Sequence, residues 1–173
     1  GNEFYDKMPE QFDRLYKNDG KGNFTRDVKA LPAMYDNKSV VRPCDFDRDG
    51  DMDLFIGGRV VAYHYGYSPK SYLLVNNGKG QFADKTQALA PELREAGMLT
   101  EAIWADFDRD GDQDLTVVGD WMPIKMYENQ KGKLTLLENG LEEFTGFWGG
   151  LTAGDFDQDG DMDLVAGNMG KNT

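Results

Sequence analysis

The sequence holds a single cysteine, Cys44, and a single histidine, His64. One cysteine excludes an intramolecular disulfide and leaves the redox compartment open. A lone histidine with no partner set in view is a poor catalytic candidate. No apolar run approaches the length of a membrane-spanning helix, so no transmembrane segment is expected, and no signal peptide or targeting tail is visible. Basic residues are scarce: 19 Lys and Arg stand against 31 Asp and Glu, for a net charge of −12. Nucleic-acid binding calls for a basic stripe, so no nucleic-acid partner is expected. What is present suffices for a core. With 39% hydrophobic residues in a chain of 173, one folded domain is expected rather than wholesale disorder.

The acidity is concentrated. A ten-residue stretch occurs three times: DFDRDGDMDL from Asp45, DFDRDGDQDL from Asp106 and DFDQDGDMDL from Asp155. Each copy sets aspartates at loop positions 1, 3, 5, 7 and 9, with Gly at position 6. The candidate ligands are therefore Asp45, Asp47, Asp49, Asp51 and Asp53; Asp106, Asp108, Asp110, Asp112 and Asp114; and Asp155, Asp157, Asp159, Asp161 and Asp163. Carboxylates this close repel one another unless a cation neutralises them. Oxygen-only ligands at this density suit Ca²⁺, which accepts about 6–8 oxygens in flexible geometry. The glycine answers the need for φ > 0 in a sharply turning loop. Three bound Ca²⁺ would leave a net charge of about −6, an ordinary value for solubility.

An EF-hand also begins D-x-D-x-D-G, but it closes with a bidentate Glu at position 12. Position 12 here is Ile56, Val117 or Ala166. The segments after each loop, LFIGG, LTVVG and LVAG, are short, apolar and ended by Gly, so they read as strands and not exiting helices.

A second motif repeats out of phase: RLYKNDGKGNF (14–24), SYLLVNNGKGQF (71–82) and IKMYENQKGKLT (124–135). Each is an apolar-aromatic run, a turn rich in Asn and Gly and a second run, which is a β-hairpin signature. Strands SVVRPC (39–44), EAIWA (101–105) and GLTAG (150–154) lead into the three Asp loops. Four short strands in about 50 residues is the pattern of one propeller blade. The expected fold is all-β, with four-stranded antiparallel blades amounting to about three. The chain divides into units 1–58, 59–119 and 120–173, each in the order strands three, four, one, two. Closed propellers have about 4–8 blades. The chain, which begins at Gly rather than Met, is therefore expected to be a partial propeller or one completed by association through exposed blade edges.

Smaller expectations follow. Pro91 and Gly97 bound a short helical insertion near 90–97. Cys44, Ala105 and Gly154 are small packing residues before each loop. Phe46, Phe107 and Phe156 pack beneath the loops, and Trp104, Trp121 and Trp148 read as blade core. The long connection 57–71 carries Tyr63, His64, Tyr65 and Tyr67, rings able to stack on a sugar or peptide but expected to pack on the neighbouring blade.

These motifs, with G-G-R, G-D-W-M-P and G-N-M-G after the loops, resemble FG-GAP/VCBS repeats, the calcium-loop repeats of integrin-α-type β-propellers. The wider wording is most similar to bacterial secreted or outer-surface VCBS-repeat proteins of the ASPIC/UnbV type. The resemblance implies that side chains at positions 1, 3, 5 and 9 and the backbone carbonyl at position 7 hold Ca²⁺. The expected function is a non-enzymatic, calcium-stabilised propeller segment outside the cell or on its surface, for example in a bacterial periplasm, binding a protein or carbohydrate. The alternative is part of a Ca²⁺-dependent polysaccharide lyase or hydrolase, although no acid–base pair stands out.

Overall fold

A computed structural model describes residues 11–170; the start of the first repeat unit and the last three residues of the third lie outside that range. Among the described residues twelve strands follow one another with a single α-helix between them. They are β1 (Leu15–Asn18), β2 (Phe24–Asp27), β3 (Asn37–Cys44), β4 (Asp53–Val60), β5 (Tyr72–Asn76), β6 (Phe82–Asp84), helix α1 (Thr86–Leu89), β7 (Met98–Ala105), β8 (Asp114–Pro123), β9 (Lys125–Asn129), β10 (Leu134–Leu137), β11 (Thr145–Gly154) and β12 (Asp163–Asn168).

The pairing is antiparallel throughout. Strands β3-β4-β5-β6 form one complete blade, and β7-β8-β9-β10 form a second. Strands β1 and β2 pair only with each other, as the third and fourth strands of a blade. Strands β11 and β12 pair as a first and second strand, and the start of β11 crosses to the end of β8. The expected all-β blade architecture is thus what the chain adopts: two full blades flanked by two half-blades.

Burial follows a strand's place among the blades. In β8, both faces are buried from Asp114 to Asp120 because it is the second strand of its blade, covered by the first blade on one side and by β11 on the other. The two full blades share one core, in which Val40, Phe55 and Leu73 of the first meet Leu99, Leu115, Val117, Tyr127 and Leu134 of the second. Side-chain bonds to backbone reinforce the contact: Ser39 Oγ donates to Leu99 O at 2.6 Å and Arg42 Nε to Ala102 O at 2.9 Å.

Three expectations need correction. The helix begins at Thr86, before the expected insertion, and Pro91–Leu93 form only a 3-10 turn. The cause is local: Ala90 precedes Pro91, and a residue before proline is driven out of the α region. Trp121 is not blade core. It is the extra residue of a β-bulge between β8 and β11, where Met122 faces Gly146 and Asp120 faces Phe147. Its φ is +52°, and the bulge turns its ring outward to 53% exposure. Phe156 is 57% exposed, whereas Phe46 at the same loop position is 1% exposed. Phe46 stacks on Trp104 of the next blade, with ring centroids 6.1 Å apart. Phe156 instead folds back over its own strand, 3.3 Å from where a Cβ on Gly154 would stand. Trp104 and Trp148 do pack in the cores, and Cys44 sits beside the main one.

Candidate metal centre

Each Asp loop is a tight turn between a first and a second strand, and its backbone is the same in all three copies. Position 4, occupied by Arg48, Arg109 or Gln158, is left-handed at φ 61–65°, and the glycine at position 6 has φ 92–95°. The glycine expectation holds; the second left-handed residue was not foreseen, because Arg and Gln give no hint of positive φ.

Hydrogen bonds then organise the carboxylates in register. The position-1 aspartate accepts the glycine N–H through Oδ2: Asp45 from Gly50 at 3.1 Å, Asp106 from Gly111 at 3.0 Å, Asp155 from Gly160 at 3.0 Å. The position-3 aspartate accepts from the N–H of position 5, as Asp108 does from Asp110 at 3.0 Å. The position-5 aspartates, Asp49, Asp110 and Asp159, accept from the N–H of position 7 at 2.8–2.9 Å.

The result is three convergent triads. Asp45, Asp47 and Asp53, then Asp106, Asp108 and Asp114, then Asp155, Asp157 and Asp163, each bring one carboxylate oxygen per residue within 4.8 Å of one another. Positions 1, 3 and 9 are therefore gathered by side chain. The position-5 carboxylates lie outside these triads. Two of the position-7 side chains pair with arginines instead: Asp112 with Arg48 at 3.0 Å and Asp161 with Arg109. An arginine at position 4 of one loop thus reaches position 7 of the next loop.

The triads are short of positive charge and of donors. Asp45 Oδ1, Asp53 Oδ2 and Asp106 Oδ1 are buried with no hydrogen-bond partner. A buried, unpaired carboxylate oxygen costs several kcal/mol unless something compensates it. Burial pushes Asp53 up to about 6, Asp47 and its neighbours add to that rise, and the Asn76 N–H opposes it. Burial likewise raises Asp114 against the N–H groups of Asn129 and Phe107, and raises Asp47 with help from Asp49. Three convergent oxygens, some of them orphaned, fit a hard divalent cation.

One feature of the centre went unread in the sequence. The residue opening each third-to-fourth-strand turn is asparagine: Asn18, Asn76 and Asn129. In both complete blades its backbone N–H donates to the position-9 carboxylate, Asn76 to Asp53 and Asn129 to Asp114, each at 2.8 Å. Its side chain donates to the carbonyl of position 8, Asn76 Nδ2 to Met52 O at 3.1 Å and Asn129 Nδ2 to Gln113 O at 3.0 Å. The repetition of Asn at one turn position was the available signal.

The Tyr-rich connection lies at the far end of β4 from the metal loop. Tyr65 reaches the neighbouring blade, as expected: its hydroxyl donates to Asp120 Oδ2 at 2.7 Å and its ring meets Trp121 edge-on at 5.0 Å. Tyr63 and Tyr67 are exposed. His64 Nδ1 is engaged with Ala62 O at 3.0 Å, a turn contact.

A family profile described as FG-GAP-like repeat matches residues 8–56 and 106–166, segments that contain all three Asp loops. No curated protein matches the chain.

Proposed function

Because the chain belongs to the FG-GAP-like repeat family, we propose that it is a calcium-loaded propeller segment with a non-enzymatic adhesion or ligand-binding role outside the cell or on its surface. Calcium is structural: it joins the first and second strands of each blade where the carboxylates would otherwise push apart. The observation that carries this reading is the set of orphaned, buried oxygens on Asp45, Asp53 and Asp106. Positions 1, 3 and 9 supply the convergent side-chain ligands, and the position-5 carboxylates and position-7 backbone carbonyls are the groups left to complete the shell.

The extracellular setting rests on affinity and family. Calcium modules outside cells bind at about 10⁻⁴–10⁻³ M, so such sites fill there and stay empty in cytosol. FG-GAP repeats are typically extracellular, and the resemblance to secreted bacterial VCBS-repeat proteins agrees with that. Among the described residues no helix is long and apolar enough to cross a membrane. The ligand face is the one opposite the metal loops. There Tyr63, Tyr67 and Trp121 present exposed rings, and Asp36, Asn37, Lys70 and Tyr72 line an open cavity of about 260 Å³.

The test is a thermal melt with calcium and with excess EGTA. A site held at about 100 times its Kd adds about 2.7 kcal/mol. In a chain of this size each kcal/mol moves Tm by about 2–4 °C. With two well-buried sites, chelation is expected to lower Tm by about 10 °C or more. A melt indifferent to EGTA sinks the reading.

A further inference from the structure

The first two Asp loops are joined by contacts that leave from either side of one candidate ligand. Asp47, at position 3 of the first loop, lies between Phe46 and Arg48. Phe46 O accepts from Asn129 Nδ2 at 2.7 Å, and the N–H of the same asparagine donates to Asp114, position 9 of the second loop, at 2.8 Å. Arg48 Nη1 pairs with Asp112, position 7 of the second loop, at 3.0 Å. Asp112 is buried, and its other oxygen accepts the Lys131 N–H at 3.0 Å, from the hairpin turn that holds Asn129. The Asp112 N–H in turn donates to Asp110 Oδ1 at 2.8 Å. The first loop thus reaches both arms of the second: positions 5 and 7 through Arg48, position 9 through Phe46.

These contacts are close-fitting. Arg48 is left-handed at φ 61°, a region that a residue with a long side chain enters at a cost, and the closed loop holds it there. Its guanidinium lies over the glycine of the second loop: a Cβ on Gly111 would stand 3.4 Å from Arg48 Nη1. A Cβ on Gly132 would stand 2.8 Å from Asp47 Cβ, so the turn carrying Asn129 packs directly on a first-loop ligand. The link from the second loop to the third is of the same kind but weaker. Arg109 pairs with Asp161, whose side chain is 61% exposed against 9% for Asp112, and exposed pairs contribute little.

We propose that the first two loops bind calcium cooperatively, each filled loop raising the affinity of the other, with Arg48 and Asn129 as the residues that couple them. Once Asp45, Asp47 and Asp53 close on a cation, Asp47 fixes the backbone of Phe46 and Arg48 on either side of it. Those two residues then hold Asp110, Asp112 and Asp114 in place, so less ordering remains when the second loop closes. By linkage the same factor acts in reverse, from the second loop to the first. Charge alone would act the other way. An unfilled first loop is the more negative neighbour and would draw a cation to the second loop more strongly. Positive coupling is therefore the mark of contact and not of field.

This inference rests on the calcium reading, and the titration that tests it separates the two. Gly50, Gly111 and Gly160 each donate a backbone N–H to the position-1 aspartate of their own loop. Their amide resonances in proton–nitrogen correlation spectra therefore report the loops one by one as calcium is added at about 0.15 M salt. Asp45→Asn keeps an acceptor for Gly50 while weakening the first loop. It is expected to raise the calcium midpoint at Gly111 about tenfold and to move Gly160 far less. Asp106→Asn is expected to raise the midpoint at Gly50 by the same factor. Arg48→Gln supplies the residue that Gln158 already provides at the same loop position, φ 65°, so the loop keeps its shape. In that background Asp45→Asn is expected to raise the Gly111 midpoint only about threefold. A Gly111 midpoint that Asp45→Asn leaves in place or lowers, or a shift that Arg48→Gln does not reduce, overturns the proposal and leaves the calcium reading standing. Amides that ignore calcium in all three loops overturn both.

Discussion

Asn129 ties the second Asp loop both to the hairpin that follows it and to the preceding blade. It is fully buried, and both polar atoms of its side chain are bonded. Its N–H donates to Asp114; its Nδ2 donates to Gln113 O and, at 2.7 Å, to Phe46 O in the preceding blade; its Oδ1 accepts from Gly132 N at 2.8 Å. Truncation to alanine spares the N–H but strands two carbonyls and one N–H away from water, each costing about 1–3 kcal/mol. Asn129→Ala is therefore expected to destabilise the calcium-loaded protein by about 3 kcal/mol in urea unfolding. Asn76→Ala should cost less, because its bond to Met52 O is exposed. Equal losses at the two positions would refute the role given to burial. The carboxylates themselves are legible as a register repeated three times at fixed spacing. Asn129 was legible only as a turn former, because a donor buried by the adjacent blade leaves no mark on the local pattern. Trp121 failed for a related reason: its outward turn is set by a bulge against β11, a strand more than twenty residues away.

At the scale of elements, strands and hairpins followed from alternation and from Asn-Gly turns, whereas helix α1 did not. Pro91 and Gly97 suggested a helix between them, yet the start is fixed by Asp84. That carboxylate accepts from Thr86 N at 3.0 Å and Thr86 Oγ1 at 2.6 Å, and from Arg94 at 2.8 Å. Thr86 Oγ1 in turn accepts the N–H of Leu73, tying the helix to β5. Burial pushes the Asp84 carboxyl up, but Thr86 and Arg94 outweigh it and hold the group below the usual carboxylate value. A carboxylate depressed in the folded state contributes stability above its unfolded pKa of about 4 and loses it as pH falls through the lower folded value. Asp84→Asn is thus expected to lower stability at pH 7 by about 1 kcal/mol, given the partial exposure of the pair. The Tm gap from wild type should narrow below about pH 4, where the native carboxylate begins to protonate. A gap constant from pH 7 to acid would mean the loss is steric and not electrostatic.

At the scale of the molecule, stability is graded along the chain because the blades are covered unequally. The two complete blades share a single core, from Val40 to Leu134. The β11–β12 half-blade adds a smaller cluster around Val118, Ile124 and Trp148, and within β1–β2 no residue is buried. Local opening free energies run from about zero at uncovered elements to the full unfolding free energy in shared cores. In dilute, monomeric protein, hydrogen exchange is expected to be fastest in β1–β2, intermediate in β12, and slowest and concurrent in β4, β5, β8 and β9. Calcium should slow exchange most across the first and second blades, whose loops close on buried Asp53 and Asp114, and least at the exposed third loop. Concurrent protection matters here, since a metal holding one loop can stabilise the neighbouring blade only through the contacts they share. Blades that exchanged independently, each responding to its own calcium alone, would show instead that Phe46, Trp104 and Asn129 do not couple them.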